Sequence, residues 1–283
     1  MKIAVVGLGL IGGSMALVLK QKGFASKVFG VDNQEAHTQK ALELGIVDEI
    51  TDLEQAIANS DLIILSAPVS ACTILLPQVL DQIGHHQIVL DTGSTKMSLL
   101  DAAKGHLNRG RYIATHPMWG TEFSGPEAAT EDAFNGRANV ICNAADSDKD
   151  ALATVEQLYT LLGMYNVYMD GKDHDVHVAY VSHISHITSF ALANTVLEKE
   201  REENAIFELA SAGFESTVRL AKSSPAMWMP IFKQNKENVL DVLNEHITQL
   251  RKFKSCIEKE NWAYLTELME NANKIKDVLD RKV

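Results

Sequence analysis

The stretch VVGLGLIGGS, residues 5–14, is the most informative motif in this 283-residue chain. Gly7, Gly9 and Gly12 have the G-x-G-x-x-G spacing, which is a weak signal when it stands alone. Here it follows the apolar run KIAVV, a predicted strand, and it opens SMALVLKQKG, a predicted helix. A glycine-rich turn between a strand and a helix is typical of a dinucleotide-binding domain, because the helix N-terminus offers free N–H groups to a pyrophosphate.

Asp32 ends the next predicted strand, KVFGVD, 20 residues after Gly12. A carboxylate at this place accepts hydrogen bonds from a ribose 2′-hydroxyl and repels a 2′-phosphate. The following residues, NQEAH, contain no arginine that would bind such a phosphate. We therefore predict NAD as the cofactor, held by the glycine turn, by Asp32 and by the later strand end LSAPVS. The predicted contacts are Gly7, Gly9, Leu10, Ile11, Gly12, Asp32, Ser66, Ala67 and Pro68.

The chain changes character near residue 171. Sixteen of its 17 glycines lie at or before Gly171. Up to that point short β-branched runs alternate with helical stretches, which indicates βαβ units on a mostly parallel sheet. Beyond it the pattern is helical, and we predict no strand. The prediction is an α/β protein with a Rossmann-type NAD-binding domain over residues 1–171 and an all-helical domain over residues 172–283.

Composition argues against several classes of partner. The formal net charge of -11 disfavours nucleic acid, because binding a phosphate backbone needs a basic surface. No apolar run reaches the roughly 18 residues of a membrane span, and the glycine-rich start is unlike a signal peptide. The cysteines (Cys72, Cys142 and Cys256) lie far apart, as in a reduced protein without a disulfide framework. We expect a cytoplasmic protein that acts on a small molecule.

Two later strand ends, DTGSTK (residues 91–96) and THPMWGTE (residues 115–122), carry polar side chains. Ligands of open α/β sheets bind beyond the carboxyl ends of the strands, so Ser94 and His116 should both face the cofactor cleft. A neutral imidazole there can take the proton of a substrate hydroxyl while hydride leaves the same carbon. Pro117 restricts the backbone of His116 to an extended conformation. A histidine that only packs or caps is the alternative.

The helical half offers further candidates. His183 and His186, in SHISH, lie three residues apart and so on neighbouring helix faces. Such a pair can bind a metal, but no cysteine or carboxylate pair of zinc spacing accompanies it, so we predict no metal site. One of these histidines is then a hydrogen-bonded core group and the other a candidate for substrate contact. Arg219 can hold a carboxylate bidentately, with an ordinary surface arginine as the alternative.

Together these motifs resemble the prephenate/arogenate dehydrogenase family, the oxidoreductases of tyrosine biosynthesis. The matching stretches are VVGLGLIGGS, the strand-end aspartate, DTGSTK, HPMWGTE, VSHISH and GFESTVRLAKSSPAMW, in the family's order over nearly the whole chain. The resemblance implies that His116 is the catalytic base on the ring hydroxyl and that Ser94 orients this hydroxyl and the histidine. It implies substrate-binding roles for Thr121, Glu122, His186 and Arg219, with Glu122 near the cleft entrance. A homodimer built from the helical domains is also implied.

The activity implied by the resemblance is NAD-dependent oxidative decarboxylation of prephenate to 4-hydroxyphenylpyruvate, CO2 and NADH. We expect a monofunctional form, without a fused chorismate mutase or a regulatory ACT domain. Arogenate, which carries an ammonium in place of the keto group, is the alternative substrate. A pocket that selects it should present a carboxylate, and neither Glu122 nor Glu215 is clearly placed to do so, which favours prephenate.

Two other classes remain as alternatives. The β-hydroxyacid dehydrogenases share this architecture but use a lysine with an asparagine four residues on, where this chain reads SHISHITSF. A non-catalytic NAD sensor would need the glycine turn but not Ser94, His116 and Arg219 together.

Overall fold

The computed structural model describes residues 1–203 and 206–280. The chain divides into two compact units, Met1–Lys236 and Glu237–Val283. The first unit holds the whole sheet and the helices up to Gln234. The domain division predicted from the sequence, near residue 171, therefore differs from the division into compact units, and it stays a prediction.

One sheet lies at the centre of the first unit. Its eight strands are β1 (Lys2–Val6), β2 (Lys27–Val31), β3 (Glu49–Ile50), β4 (Leu62–Leu65), β5 (Ile88–Asp91), β6 (Tyr112–Pro117), β7 (Ala138–Cys142) and β8 (Tyr165–Met169). Their order is β3-β2-β1-β4-β5-β6-β7-β8, and all neighbours are parallel except β6 and β7. The first six strands have the order typical of dinucleotide-binding sheets. The sequence pattern missed β3, because two residues are too few to show a period.

Thirteen α-helices occur in the described residues. They are α1 (Leu10–Gln21), α2 (Glu35–Glu43), α3 (Leu53–Ala58), α4 (Val69–Gln82), α5 (Met97–Ala103), α6 (Lys149–Leu161), α7 (Gly171–Val178), α8 (Ile184–Glu203), α9 (Ala212–Val218), α10 (Pro225–Gln234), α11 (Lys236–Glu258), α12 (Trp262–Asn273) and α13 (Lys276–Leu279). A turn of π-helix, Ala179–His183, joins α7 to α8. Among these helices none is both long and apolar enough to cross a membrane.

The central strands are nearly continuous apolar runs, because helices cover both faces of a parallel sheet. In β4 all four side chains are buried, and they alternate between two core clusters: Ile64 packs on one face, and Ile63 and Leu65 pack on the other. The register pairs Leu65 with Val6 on one side and with Asp91 on the other. The residues that follow these three strands therefore meet at one edge of the sheet.

Beyond residue 171 the described residues form helices and no strand, as predicted. The first of these helical stretches is continuous from Gly171 to Glu203, through α7, the π-helical turn and α8. Farther along the chain, Asn235 separates α10 from α11. The buried Asn235 side chain donates a hydrogen bond to the Asp175 carbonyl at 2.6 Å, which ties the end of α10 to α7.

Candidate active site

The glycine turn fits so closely that two of its positions admit only glycine. Gly7 has φ +98°, and a Cβ there would lie 2.6 Å from the backbone of Ser66 and Ala67. A Cβ on Gly12 would lie 2.2 Å from the Gly7 carbonyl oxygen. At Gly9, by contrast, nothing lies within 4 Å of the position that a Cβ would take. The turn thus packs tightly against the end of β4 and leaves open space beside Gly9.

Free hydrogen-bond donors and a fixed carboxylate border this space. Gly9 is the N-cap of α1 and provides no side-chain cap, so the first-turn N–H groups are available to an anion. The Asp32 carboxylate accepts hydrogen bonds from the amides of Leu8 at 2.8 Å and Gln34 at 2.9 Å. His37 Nδ1 lies 3.5 Å from the same carboxylate. Asp32 is therefore held at the carboxyl end of β2, directly beside the glycine turn.

The residues after β4 lie against the glycine turn, as their sequence position predicts. The Ser66 Oγ accepts a hydrogen bond from Thr92 Oγ1 at 2.9 Å, which links the ends of β4 and β5. The Ala67 carbonyl accepts a bond from Cys72 Sγ at 3.2 Å, and Pro68 is the N-cap of α4. These contacts fix the three predicted cofactor-binding residues in one short segment.

His116 lies in β6, and its side chain is buried. Its Nδ1 is 2.9 Å from Nε2 of His174, with the two rings in an edge-to-face arrangement at 5.1 Å. His174 Nδ1 is in turn 2.8 Å from Oδ1 of Asp175. Sequence reasoning singled out His116 but missed His174 and Asp175. The only local signal is the adjacent His–Asp pair in KDHDVH, and it gains meaning only when α7 packs against α5.

The imidazole of His116 is neutral at pH 7. Burial lowers the pKa of His116 well below its usual range, and the positive charges that His174, Lys96 and His183 can carry lower it further. Burial also lowers the pKa of His174, against the opposing effect of the hydrogen bond to Asp175. A neutral imidazole has one lone pair on a ring nitrogen, so it can accept a proton.

A buried ion pair between Lys96 and Asp91 links the ends of β5 and β6 near His116. The side chains of Lys96 and Asp91 are fully buried and bond to each other, and Lys96 also donates to the Thr115 carbonyl. The Asp91 carboxylate accepts further bonds from Tyr112 Oη at 2.8 Å and from the Thr115 amide at 3.1 Å. Buried charges are tolerated when such bonds satisfy them, and here they join the ends of β5 and β6. The sequence contains no local signal for a buried lysine at this position.

Ser94 is half-buried in the loop after β5. Its hydroxyl has no hydrogen-bond partner within the described ranges of the chain, so it is available to a ligand. The hydrogen-bond partner of His116 Nδ1 is His174, and the orienting role expected of Ser94 stays a prediction. Thr121, also predicted as a binding residue, accepts a bond from the Phe123 amide at 3.3 Å.

Arg219 lies at the junction of two helical elements. It caps the C-terminus of α9 and begins a 3-10 turn, Arg219–Lys222. Its Nη1 is 2.7 Å from Oε2 of Glu122, and the arginine side chain is 47% exposed. Glu215 lies on the exposed side of α9 and pairs with Lys222 at 3.6 Å. Both acids considered as substrate selectors thus have cationic partners.

The two histidines of SHISH take different roles. His183 is buried, with Nδ1 3.2 Å from Asn235 Nδ2. His186 Nδ1 lies 3.1 Å from the Ser182 carbonyl, and its ring stacks on Trp228 at 3.6 Å. His183 Nε2 and Trp228 Nε1 are buried and have no partner in the part of the chain that the structure describes. Trp228, which sequence reasoning did not select, thus has a buried, unpaired N–H and a ring stacked on His186.

Burial lowers the pKa of His183 to about 4 and also lowers the pKa of His186, so both rings are neutral at pH 7. Among the described residues, no group of three or more His, Cys, Asp or Glu side chains is placed to hold a metal ion.

Comparisons with known proteins cover the whole of this arrangement. The family model described as "Prephenate dehydrogenase, nucleotide-binding domain" matches residues 15–167, and "Prephenate dehydrogenase, dimerization domain" matches residues 170–271. The prephenate dehydrogenase of Bacillus subtilis (strain 168) is 30% identical over 98% of this chain and 76% of its own length.

Two solved structures are similar over nearly their full length. The prephenate dehydrogenase of Aquifex aeolicus, in complex with hydroxyphenyl propionate and NAD+, has a TM-score of 0.89 and 30% identity, with 99% of each chain covered. The arogenate dehydrogenase of Synechocystis has a TM-score of 0.77 and 27% identity, with 99% of this chain and 100% of that chain covered. The glycine turn, the strand-end histidine and these matches agree, and the chain belongs to the prephenate dehydrogenase family of oxidoreductases.

Proposed function

We propose that this protein is an NAD-dependent dehydrogenase that converts prephenate to 4-hydroxyphenylpyruvate, CO2 and NADH. The observation that carries the proposal is the buried, neutral imidazole of His116 in β6, at the sheet edge that also holds the glycine turn. The Aquifex aeolicus relative was solved with NAD+ and hydroxyphenyl propionate. A phenolic compound resembles the product of the proposed reaction, and NAD+ is its proposed cofactor.

The residues of the glycine turn fit a dinucleotide. The open space beside Gly9 admits a pyrophosphate close to the backbone, and the first-turn N–H groups of α1 are free to bind it. Asp32, held by two amides, can accept hydrogen bonds from the ribose 2′-hydroxyl. When bound, NAD supplies the acceptor for the hydride. The carboxylate of Asp32 repels a 2′-phosphate, so this chain favours NAD over NADP.

His116 and Ser94 contact the hydroxyl group on the carbon that is oxidised. Prephenate carries a hydroxyl and a hydrogen on one ring carbon and a carboxylate on the carbon opposite. His116 accepts the hydroxyl proton while hydride leaves the same carbon, which gives a carbonyl centre. Loss of CO2 then makes the ring aromatic, so the protein mainly has to position the substrate and accept one proton. The unpaired hydroxyl of Ser94 hydrogen-bonds the substrate hydroxyl.

Arg219, His186 and Thr121 bind the rest of the substrate. Arg219 holds a substrate carboxylate through charge-assisted hydrogen bonds from its other guanidinium N–H groups, while Nη1 keeps its bond to Glu122. The unpaired N–H of Trp228, whose ring stacks on His186, donates to a substrate oxygen. Glu122, at the proposed cleft entrance, orients the guanidinium of Arg219 through its bond to Nη1.

Prephenate is favoured over arogenate because an ammonium in the pocket would need a free carboxylate. Glu122 is paired with Arg219, and Glu215 is exposed and paired with Lys222. The test measures kcat/KM for both substrates with NAD and with NADP on one preparation. We expect the highest value for prephenate with NAD. A tenfold preference for arogenate would reverse the substrate assignment, and a preference for NADP would refute the role of Asp32.

A non-catalytic sensor of NAD is the alternative of a different class. Such a protein would bind NADH but form none from NAD and either substrate, so absorbance of NADH in the same assay separates the two. A sensor needs the glycine turn to bind NAD, but it does not need the side chains of Ser94, His116 and Arg219.

The proposal includes a homodimer through the helices after residue 171. Large apolar side chains are exposed along the unit Glu237–Val283, and their burial in a partner would stabilise the assembly: Leu250, Ile257, Trp262, Met269 and Ile275. The three cysteines are free and buried, which supports a reducing, cytoplasmic location.

A further inference from the structure

His116 is one end of a chain of hydrogen bonds that the proposed function does not use. The chain runs from His116 through His174 to the carboxylate of Asp175. We propose that His174, oriented by Asp175, is a positioning residue that fixes the tautomer of His116, so that its Nε2 carries the lone pair that accepts the substrate proton. This inference rests on the proposed function of His116 as the base.

The tautomer follows from the far end of the chain. Oδ1 of Asp175 accepts the Lys96 amide at 2.8 Å and Oδ2 accepts the Met97 amide at 3.0 Å. Burial by itself raises the pKa of Asp175, but the hydrogen bonds from His174 and the two amides outweigh burial and leave the pKa lowered. An ionised carboxylate only accepts hydrogen bonds. The His174 nitrogen beside it, Nδ1, must therefore carry the proton.

The proton on His174 Nδ1 decides the state of His116. A neutral imidazole with its proton on Nδ1 has its lone pair on Nε2. That atom lies 2.9 Å from Nδ1 of His116, so His116 Nδ1 is the donor of this bond. Since His116 is neutral at pH 7, its remaining nitrogen, Nε2, is unprotonated. In the opposite tautomer two lone pairs would face each other across 2.9 Å, and Nε2 would have no capacity for a proton.

The same contacts also stabilise His116 after proton transfer. The imidazolium donates through Nδ1 to His174, and a charge-assisted bond of this kind is stronger than a neutral one. The negative charge of Asp175, at the end of this hydrogen-bond chain, favours the protonated form of His116. The positive charge of Lys96 disfavours that form, but Lys96 is itself paired with Asp91. His183 is a further titratable group that acts on His116. A positioning role therefore predicts an effect on the pH profile and not on affinity alone.

The inference is tested with His174→Phe, which removes the acceptor, and His174→Gln, whose amide can accept from His116 and donate to Asp175. His177→Phe is the matched control, because His177 is an exposed histidine on the same helix. We expect His174→Phe to lower kcat with prephenate by roughly 10²-fold or more, near the lower end of the range for general-base catalysis. The acid limb of the kcat profile should move to lower pH. His174→Gln should recover most of kcat and the original limb, and NADH binding should be unchanged in all three variants.

A second measurement needs no substitution at these positions. The ¹⁵N shifts of the His116 ring in the unsubstituted protein report which nitrogen is protonated, and the inference requires Nδ1–H. Protonation on Nε2 would overturn the inference even if His174→Phe failed to fold. Failure of the proposed function is distinguishable, because His116→Asn would then retain turnover. If His116→Asn is inactive while His174→Phe has normal turnover and an unshifted acid limb, the proposed function stands and the inference falls.

Discussion

Two alanine substitutions in the glycine turn should separate folding from cofactor binding. In Gly12→Ala the new Cβ would lie 2.2 Å from the Gly7 carbonyl oxygen and 3.0 Å from side-chain carbons of Ser66 and Val5. Backbone oxygen and core side chains cannot move away freely, so overpacking should cost about 1–3 kcal/mol or more. At roughly 2–4 °C per kcal/mol, the melting temperature should fall by about 2–12 °C.

Gly9→Ala should behave in the opposite way. Gly9 has φ -82°, which alanine adopts without strain, and no atom lies within 4 Å of its Cβ position. The melting temperature of the cofactor-free protein should therefore change by the equivalent of less than about 1 kcal/mol, the scale of an N-cap effect. The same Cβ would occupy the space that a pyrophosphate enters. We expect at least a tenfold weaker affinity for NADH, which is about 1.4 kcal/mol.

Thermal melting without cofactor and a fluorescence titration with NADH provide the two readouts. Gly213→Ala is the control, because Gly213 lies in α9 with open space around it. This substitution should not lower the melting temperature, and it should leave the affinity for NADH unchanged. If Gly9→Ala binds NADH as tightly as the unsubstituted protein, the cofactor does not lie over Gly9. An unchanged melting temperature for Gly12→Ala would refute the close packing of the turn.

Three further predictions follow from other contacts. Arg219→Ala should raise the KM for prephenate by about 10- to 150-fold, because the loss of a charge-assisted bond costs about 1.5–3 kcal/mol. Lys222→Ala, in the same turn, is the control and should change the KM by no more than about twofold. Equal effects of the two substitutions would show that Arg219 is an ordinary surface arginine. Burial lowers the pKa of His183 from 6.5 to about 4, so the unfolded chain binds this proton more tightly. The free energy of unfolding should thus fall by about 3 kcal/mol as the pH falls from 6.5 to 4, and denaturant titrations should find a flatter dependence in His183→Gln. Light scattering should give the mass of a homodimer at assay concentration, and a stable, active monomer would contradict the proposed interface.

The glycine turn of the candidate site could be predicted from the sequence, because its geometry depends on residues that are close together in the chain. The spacing of Gly7, Gly9 and Gly12 between a strand and a helix predicts the turn, because each glycine meets a steric requirement set by its near neighbours. His116 was selected as a candidate by its place at the end of a predicted strand, where ligands of open α/β sheets bind. The fold class and the helical second half followed from the change of periodicity near residue 171.

The rest of the site depends on residues that are distant in sequence. His116 and His174 are 58 positions apart, and the amide of Lys96 is 79 positions from the Asp175 carboxylate that it contacts. These pairs meet only because α7 packs against α5, and periodicity does not encode that packing. The buried Lys96 was missed for the same reason, since its partners lie on two strands. A strand-end position does not specify hydrogen-bond partners, so the sequence did not indicate that His174 is the partner of His116 Nδ1.

If His116 is the base in an NAD-dependent oxidation, His116→Asn should lose most of its turnover while its fold and its cofactor binding are kept. Turnover of prephenate with NAD and binding of NADH are measured on the same preparation, together with far-UV circular dichroism. The account predicts a fall in kcat of about 10²- to 10⁴-fold, the span of general-base catalysis, with unchanged NADH affinity and unchanged secondary structure. Near-normal turnover in this variant would contradict the account.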